Sequence, residues 1–181
     1  MTVRIALMAG MALAALAACN RQPSVDLRNA KGTDVANAVA RSGGAVAFIR
    51  PGKWVSTSTV EQASMPGMSP EMTARMNQAM KTSSTHESCV TEADVKKPRA
   101  EFFGAQEGCT YERFTMAGGT LDMKMTCKGE GGGTMSMAMA GTYSADHYAA
   151  KMTMTGTGMG PAGQGMTIRT NVDARRVGAC G

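Results

Sequence analysis

The fold is decided by residues 120–158, which read TLDMKMTCKGEGGGTMSMAMAGTYSADHYAAKMTMTGTG. Within this stretch methionine recurs at every second position. Because side chains of a β-strand point alternately to opposite faces, the spacing predicts strands with one apolar, methionine-bearing face. The intervening positions are mostly polar, which predicts that the other face contacts water. The methionines concerned are Met123, Met125, Met135, Met137, Met139, Met152 and Met154.

The turns between these strands predict their register. A glycine-rich turn at residues 129–133 and a second turn at residues 145–146 connect three antiparallel strands. The facing pairs are then Met125 with Met137, Met123 with Met139, Met139 with Met152, and Met137 with Met154. The sequence therefore predicts a grid of methionines across one face of the sheet.

The remaining sequence predicts further strands and one methionine-striped helix. Strands are expected over residues 54–62, 82–90 and 166–177, so the fold class is mainly β. The expected architecture is an antiparallel meander of about seven to eight strands, curved or barrel-like. Ser69 and Pro70 are typical of a helix start. The helix carries methionine at Met68, Met72, Met76 and Met80. We expect this stripe to pack on the apolar face of the sheet.

The N-terminal segment predicts export and a lipid anchor. In residues 1–18, Arg4 precedes a short run of small apolar residues, which is typical of a cleaved signal peptide. The run from Leu16 to Cys19, LAAC, resembles the lipobox of bacterial lipoproteins, in which the cysteine is acylated. We therefore expect Cys19 to anchor the protein in the cell envelope, on the periplasmic side of the inner or outer membrane. The alternative is an ordinary secretory signal with a coincidental cysteine.

Export to an oxidising compartment makes the remaining cysteines a disulfide framework. Cys109 and Cys127 bracket a hairpin that turns at residues 118–119. They face each other if a bulge forms at residues 112–113, so we expect them to be bridged. Loop length makes this bridge worth about 3 kcal/mol.

Elimination then pairs Cys89 with Cys180, which would tie the last strand to an earlier one at a gain of about 4.5 kcal/mol. The alternative is a metal site that includes His86 and Cys89, or a redox pair. Both alternatives are disfavoured, because the sequence contains no CxxC motif and only two histidines.

One folded domain is expected after the anchor. Residues 19–50 are predicted to be a tether with a short helix, capped by Asp34 and ending at residues 43–44. Residues 51–181 are predicted to form a single antiparallel β domain. Because aromatic residues are only 4% of a chain with 18 methionines, flexible thioethers must fill much of the core. Trp54 is expected to anchor that core rather than to stack on a ligand.

Several functions are disfavoured by the sequence. Residues 158–163 match GxGxxG, but Pro161 and the strand that follows exclude the helix start of a dinucleotide site. No spacing joins serine, histidine and aspartate into a triad, so we expect no catalytic residue, no cofactor and no enzyme activity.

The net charge of +5 falls by one to +4 if Arg4 is removed. The lysines and arginines of the chain are scattered and do not alternate with aromatic residues, which argues against nucleic-acid binding.

Two function classes remain. The first is a noncatalytic envelope module, structural or binding an apolar ligand or an envelope protein between the methionine helix and the sheet. The second is a soft-metal protein, because clustered thioethers bind Cu(I). Its ligands would come from Met123, Met125, Met137, Met139, Met152 and Met154. Metal-binding thioethers should converge at an accessible point, whereas core thioethers should spread over a buried face.

Several motifs taken together resemble a known family. They are PGKW at residues 51–54, MPGM at 65–68, CVTEAD at 89–94, the Cys109–Cys127 hairpin, the Thr–Met alternation and RVGAC at 176–180. This combination resembles the proteobacterial envelope family catalogued as domain of unknown function 3617, over about residues 50–181. The resemblance implies a small exported protein, often a lipoprotein, with no assigned catalytic or binding residues. The alanine-rich segment before Trp54 departs from the family pattern.

Overall fold

The computed structural model describes residues 23–103, 108–129, 132–158 and 165–181. These residues form one eight-stranded antiparallel sheet with the strand order β1-β4-β5-β6-β7-β8-β2-β3. The strands are β1 (Val25–Lys31), β2 (Gly52–Ser64), β3 (Ser83–Val90), β4 (Cys109–Ala117), β5 (Thr120–Lys128), β6 (Thr134–Ser144), β7 (His147–Thr157) and β8 (Met166–Gly178). The helices are α1 (Gly32–Arg41), α2 (Pro70–Met80) and α3 (Glu92–Lys96), with short 3-10 helices at Ala45–Ala47 and Ala100–Phe103. The mainly β, antiparallel prediction is confirmed, but the sheet is open, with β1 and β3 at its edges, and is not closed into a barrel.

The register predicted for the methionine grid is confirmed. Two cross-strand rows run over β5, β6 and β7, one through Met123, Met139 and Met152 and the other through Met125, Met137 and Met154. The alternation of strand side chains puts both rows on one face, which we call the methionine face. Met123 and Met125 are buried there, at 4% and 2% exposure.

The β4–β5 hairpin also has the predicted geometry. Cys109 faces Cys127 and Tyr111 faces Met125. The register shifts between Tyr111 and Arg113, which is the bulge required to bring the two cysteines opposite each other. Phe114 then faces Met123, so an aromatic row on β4 continues the methionine face.

The N-terminal segment differs from the tether predicted for residues 19–50. Residues 25–31 form strand β1, which pairs with β4 along its length. Val25 faces Met116 and Ala30 faces Tyr111, and both Val25 and Ala30 are buried. The segment is short and carries four polar or charged residues, so its alternation is too weak to predict a strand without the neighbouring β4.

Helix α1 covers one part of the methionine face. Its N-terminus is stabilised by Asp34, whose Oδ2 accepts a hydrogen bond from the Lys31 backbone N–H at 2.9 Å. Val35 and Val39, one turn apart, are fully buried and belong to the same core cluster as Met123 and Met125. The predicted short helix is therefore present, and it is a core element rather than part of a tether.

Helix α2 begins as predicted, but its packing on the methionine face is not confirmed. The Ser69 Oγ accepts a hydrogen bond from the Met72 backbone N–H at 3.2 Å. No residue of α2 is buried, and Met72 is 58% exposed. The helix contacts β2, where Asn77 Oδ1 accepts a hydrogen bond from the Ala63 N–H. This part of β2 pairs with β8 on one side but extends beyond its pairing with β3 on the other, and α2 satisfies the Ala63 N–H on that second side.

Some predictions concern residues outside the described ranges. They include the signal peptide, the lipidation of Cys19 and most of the 158–163 loop. Among the residues that the structure does describe, no helix combines the length and the apolar character needed to cross a membrane.

Candidate apolar cavity

A cavity of about 440 Å³ lies on the methionine face. Small-molecule sites in proteins commonly have volumes of about 300–1,000 Å³ and mainly apolar walls. The sheet wall includes Trp54, Val90, Phe114, Met116, Leu121, Met123, Met137, Met139, Tyr143, Tyr148, Ala150 and Ala174. Ile49, Phe102 and Phe103, from segments outside the sheet, also line the cavity. Its size and chemistry suit a small apolar molecule or an acyl chain.

The cavity shows that the sheet curves around its methionine face. Met116 on β4 and Val90 on β3 both line it, although six strand-to-strand steps separate β4 from β3. A flat sheet would hold those strands about 29 Å apart, at about 4.8 Å per step. One cavity of this volume reaches both only because the sheet bends.

Aromatic side chains form one end of the cavity. The rings of Trp54 and Tyr148 have centroids 6.0 Å apart, and Phe48 meets Tyr143 edge to face at 5.6 Å. Trp54 is 3% exposed and donates from its indole Nε1 to the Arg50 carbonyl at 3.0 Å. Trp54 is thus buried, as predicted, and it also lines the cavity.

A second aromatic group fixes the segment that contains Phe102 and Phe103. Phe103 and Tyr111 each meet Phe114 edge to face, with ring centroids 5.6 Å apart in both pairs. Tyr111 is fully buried, and its hydroxyl donates to the Phe103 carbonyl at 2.8 Å. This hydrogen bond links the 3-10 helix to β4, so that two phenylalanines cover part of the methionine face.

Polar groups in the cavity wall are few and uncharged. They include Ser56, Ser88 and Thr142. Burial raises the pKa of Tyr143 and of Tyr148, so both phenols stay protonated at neutral pH. The site as described therefore offers an apolar volume with hydroxyl groups and without a charged side chain.

A charged group lies just beyond the aromatic end. Arg176 comes two residues after Ala174 on β8 and faces Trp54 across the strand pair. Its Nε donates to the Pro51 carbonyl at 2.7 Å. Asp146, at the turn between β6 and β7, lies 3.9 Å from the Arg176 Nη1 and 2.9 Å from an Arg50 Nη1.

The predicted methionine ligands lie in three different environments. Met123, Met137 and Met139 line the cavity. Met125 is buried in the core cluster, while Met152 and Met154 are partly exposed on β7. The thioethers are therefore spread along two rows of the face, and the members on β6 and β7 are partly buried.

Both predicted disulfides are present. Cys109–Cys127 joins the ends of the β4–β5 hairpin, and both residues belong to the core cluster. Cys89–Cys180 joins the end of β3 to the chain that follows β8, and the two cysteines are 91 positions apart in the sequence. Val90, next to Cys89, lines the cavity, so this bridge fixes one of its edges.

Sequence reasoning did not assign a role in a site to Ile49, Phe102 or Phe103. The apolar run at residues 45–49 and the paired phenylalanines were the available signals, but they indicate burial without indicating what they cover. The pocket was expected between the methionine helix and the sheet. In the structure, Ile49, Phe102 and Phe103 line the cavity at the place where α2 was expected.

The opposite face of the sheet is polar, as predicted. Arg113 and Asp122 pair at 2.6 Å, and Lys124 pairs with Glu112 at 2.6 Å. The hydrogen bond from Lys124 is the main cause of a lowered pKa at Glu112. Across the described residues, no three side chains of histidine, cysteine, aspartate or glutamate form a group that could hold a metal ion.

The fold and the cavity together define a small, disulfide-bonded β protein with an apolar cavity on one face of its sheet. A family described as protein of unknown function, DUF3617, matches residues 49–180. The match covers well over half of the chain, and the protein belongs to this family. Neither the curated proteins nor the solved structures gave a match.

Proposed function

We propose that this protein is a noncatalytic envelope lipoprotein that binds an apolar molecule in the methionine-lined cavity. The observation that carries the proposal is a volume of about 440 Å³ lined by methionine, phenylalanine and other apolar side chains. Flexible thioethers suit such a role, because they adapt to ligands of different shape. The occupant we propose is an acyl chain or another elongated apolar group.

Two further features support a binding role over a purely structural one. A sheet face that served only to build a core would be expected to be covered by closely packed side chains, whereas this face leaves a partly open apolar cavity of about 440 Å³. The side chains around the cavity are also held by specific contacts, among them the Tyr111 hydrogen bond to Phe103 and the Trp54 hydrogen bond to Arg50. A wall held in this way keeps the cavity formed before a ligand enters.

Lipid anchoring through Cys19 is part of the proposal and rests on the sequence. The run LAAC after an apolar leader supports acylation of Cys19, with the protein facing the periplasm from the inner or outer membrane. Cys19→Ala should leave unprocessed precursor or release soluble protein, and globomycin should cause precursor to accumulate. Normal processing of Cys19→Ala into a membrane-bound product would contradict anchoring without affecting the cavity.

Ligand binding is tested with the neutral probe N-phenyl-1-naphthylamine, whose fluorescence rises in an apolar site. The wild-type protein should bind the probe saturably. Ser56→Leu should weaken binding, because Ser56 lines the cavity and a larger side chain would fill it. Thr57→Leu is the matched control, because Thr57 is the next residue of β2 and lines a groove on the polar face. Equal probe binding by both variants, or no binding by folded wild type, would refute the proposal.

The second candidate function is Cu(I) binding by the methionine grid. The observation that favours it is the pair of three-methionine rows, in which Met137, Met139, Met152 and Met154 are not fully buried. Leucine matches methionine in volume but lacks the soft sulfur lone pair. A competition titration of Cu(I) should show no tight binding if the first proposal holds. Stoichiometric binding that Met137→Leu and Met152→Leu abolish, with the fold intact, would make copper handling the better account.

A further inference from the structure

We infer that the cavity selects amphiphiles with an anionic head group, which Arg176 binds with the help of Arg50. This inference rests on the proposed function, because it assigns the head of a ligand whose apolar part lies among the methionines. The inference adds a binding site for the charged head group, which the apolar lining of the cavity alone does not predict.

The position of Arg176 follows from the sheet. On β8, residues 168, 170, 172 and 174 lie on the methionine face, since they pair with Met154, Met152, Ala150 and Tyr148. Arg176 is next in this series and faces Trp54 on β2. Residues two apart on a strand are separated by about 7 Å. Arg176 therefore follows Ala174, which lines the cavity, on the same face of β8, and its guanidinium lies beside the aromatic end of the cavity without being part of its lining.

The guanidinium is held in place and still has donors for a ligand. Its side chain is 28% exposed, and its Nε is fixed by the 2.7 Å hydrogen bond to Pro51. The Nη1 lies 3.9 Å from Asp146 Oδ1, which is too far for a hydrogen bond. Within the described residues that buried carboxylate oxygen has no hydrogen-bond partner. The two side chains therefore lie side by side without a hydrogen bond between them, although the Arg176 backbone N–H donates to the Asp146 carbonyl at 2.9 Å.

The local charge favours an anion. Arg50, Asp146 and Arg176 together carry a net positive charge, and the side chain of Arg50 is 60% exposed. Neighbouring cations are neutralised on the other face, where Arg175 contacts Asp173 and Lys53 pairs with Glu87 at 2.7 Å. Guanidinium groups bind carboxylate and phosphate through parallel hydrogen bonds, which are among the stronger ones in proteins. A carboxylate or phosphate head with an attached chain fits this arrangement of charge and apolar volume.

The experiment compares three ligands with the same chain, oleic acid, oleyl phosphate and oleyl alcohol, as competitors of N-phenyl-1-naphthylamine below their aggregation limits. Wild-type protein should bind the two anions at least about tenfold more tightly than the alcohol at low salt. The two anionic arms distinguish a carboxylate from a phosphate head. Equal affinity of wild-type protein for all three ligands would overturn the inference while leaving apolar binding intact. No probe binding at all would instead contradict the proposed function.

Variants identify the residue responsible. The Arg176→Gln protein should bind the two anions about as weakly as it binds the alcohol, and it should still bind the neutral probe. Arg175→Gln is the control, because it removes the same charge one residue away on the opposite face, and it should keep the preference. Asp146→Asn provides a second test in case Arg176→Gln does not fold. Because it removes a negative charge beside Arg176, it should increase the preference for the anions over the alcohol. An Arg176→Gln protein that keeps the preference, or an Asp146→Asn protein that does not strengthen it, would contradict the role of Arg176.

Discussion

The hydroxyl oxygen of Tyr111 positions the segment that covers part of the methionine face. Its ring is fully buried against Phe114, and its hydroxyl donates to the Phe103 carbonyl at 2.8 Å. Burial raises the pKa of Tyr111 to about 12. A buried phenol without a partner would be costly, so the hydrogen bond to the 3-10 helix decides where Phe102 and Phe103 lie.

Removal of this hydroxyl should therefore destabilise the fold. Tyr111→Phe keeps the ring but leaves the Phe103 carbonyl without its partner, at an expected cost of about 1–2 kcal/mol in the free energy of unfolding. Urea unfolding measures the change. Tyr148→Phe is the control, because the Tyr148 phenol forms no hydrogen bond within the described residues and its loss should cost less than about 0.5 kcal/mol. Equal stability of Tyr111→Phe and wild type would show that the hydrogen bond is unimportant.

The raised pKa of Tyr111 also predicts sensitivity to alkaline pH. The folded pKa of about 12 lies above the ordinary value of 10.0, so the folded state holds this proton more strongly than the unfolded state does. Its contribution to stability is fully present below pH 10 and is lost as the pH rises toward 12. Wild-type protein should lose stability more steeply than Tyr111→Phe over this range. Parallel pH profiles would contradict the burial of a neutral phenol.

At the scale of elements, the local sequence predicts pairing well where turns and alternation agree. The glycines at residues 129–133 and the alternate methionines were sufficient for the register of β5, β6 and β7, and the 112–113 bulge followed from two cysteines that had to face each other. Strand β1 could not be predicted in this way, because its stability comes from β4 rather than from its own pattern. The packing of α2 was also beyond the sequence. A four-residue methionine period indicates one apolar stripe, but it does not say which part of the sheet the stripe contacts.

The pairing of β6 with β7 depends on Gly141, which also lines the cavity. A Cβ at this position would collide with the Ala149 carbonyl and with Ala150 on the neighbouring strand. Gly141→Ala should therefore reduce the free energy of unfolding by about 1–3 kcal/mol in urea titrations. Gly178→Ala near the end of β8 is the control, because a Cβ there meets no other atom within 4 Å. Similar stabilities of the two variants would contradict the close approach of β6 and β7.

At the scale of the molecule, the two faces of one curved sheet have different roles. The polar face carries paired charges such as Arg113 with Asp122, while the other face holds the core and the cavity. The sequence predicted both faces, because alternation assigns each residue to a side. It did not predict the cavity, since an empty volume depends on how far the sheet bends and on where Ile49, Phe102 and Phe103 lie. These are long-range properties that no local period encodes.

Trp54 provides the most direct measurement of ligand binding in the cavity. It is the one tryptophan of the chain and lines the cavity, so a heavy atom on a bound chain should quench its fluorescence by contact. Titration with a dibrominated oleyl alcohol should give saturable quenching, and unbrominated oleyl alcohol should compete with it. Ser56→Leu should reduce the quenching, whereas Thr57→Leu should not. A folded protein whose Trp54 fluorescence is unaffected by the brominated chain would contradict the central claim that the cavity on the methionine face binds apolar molecules.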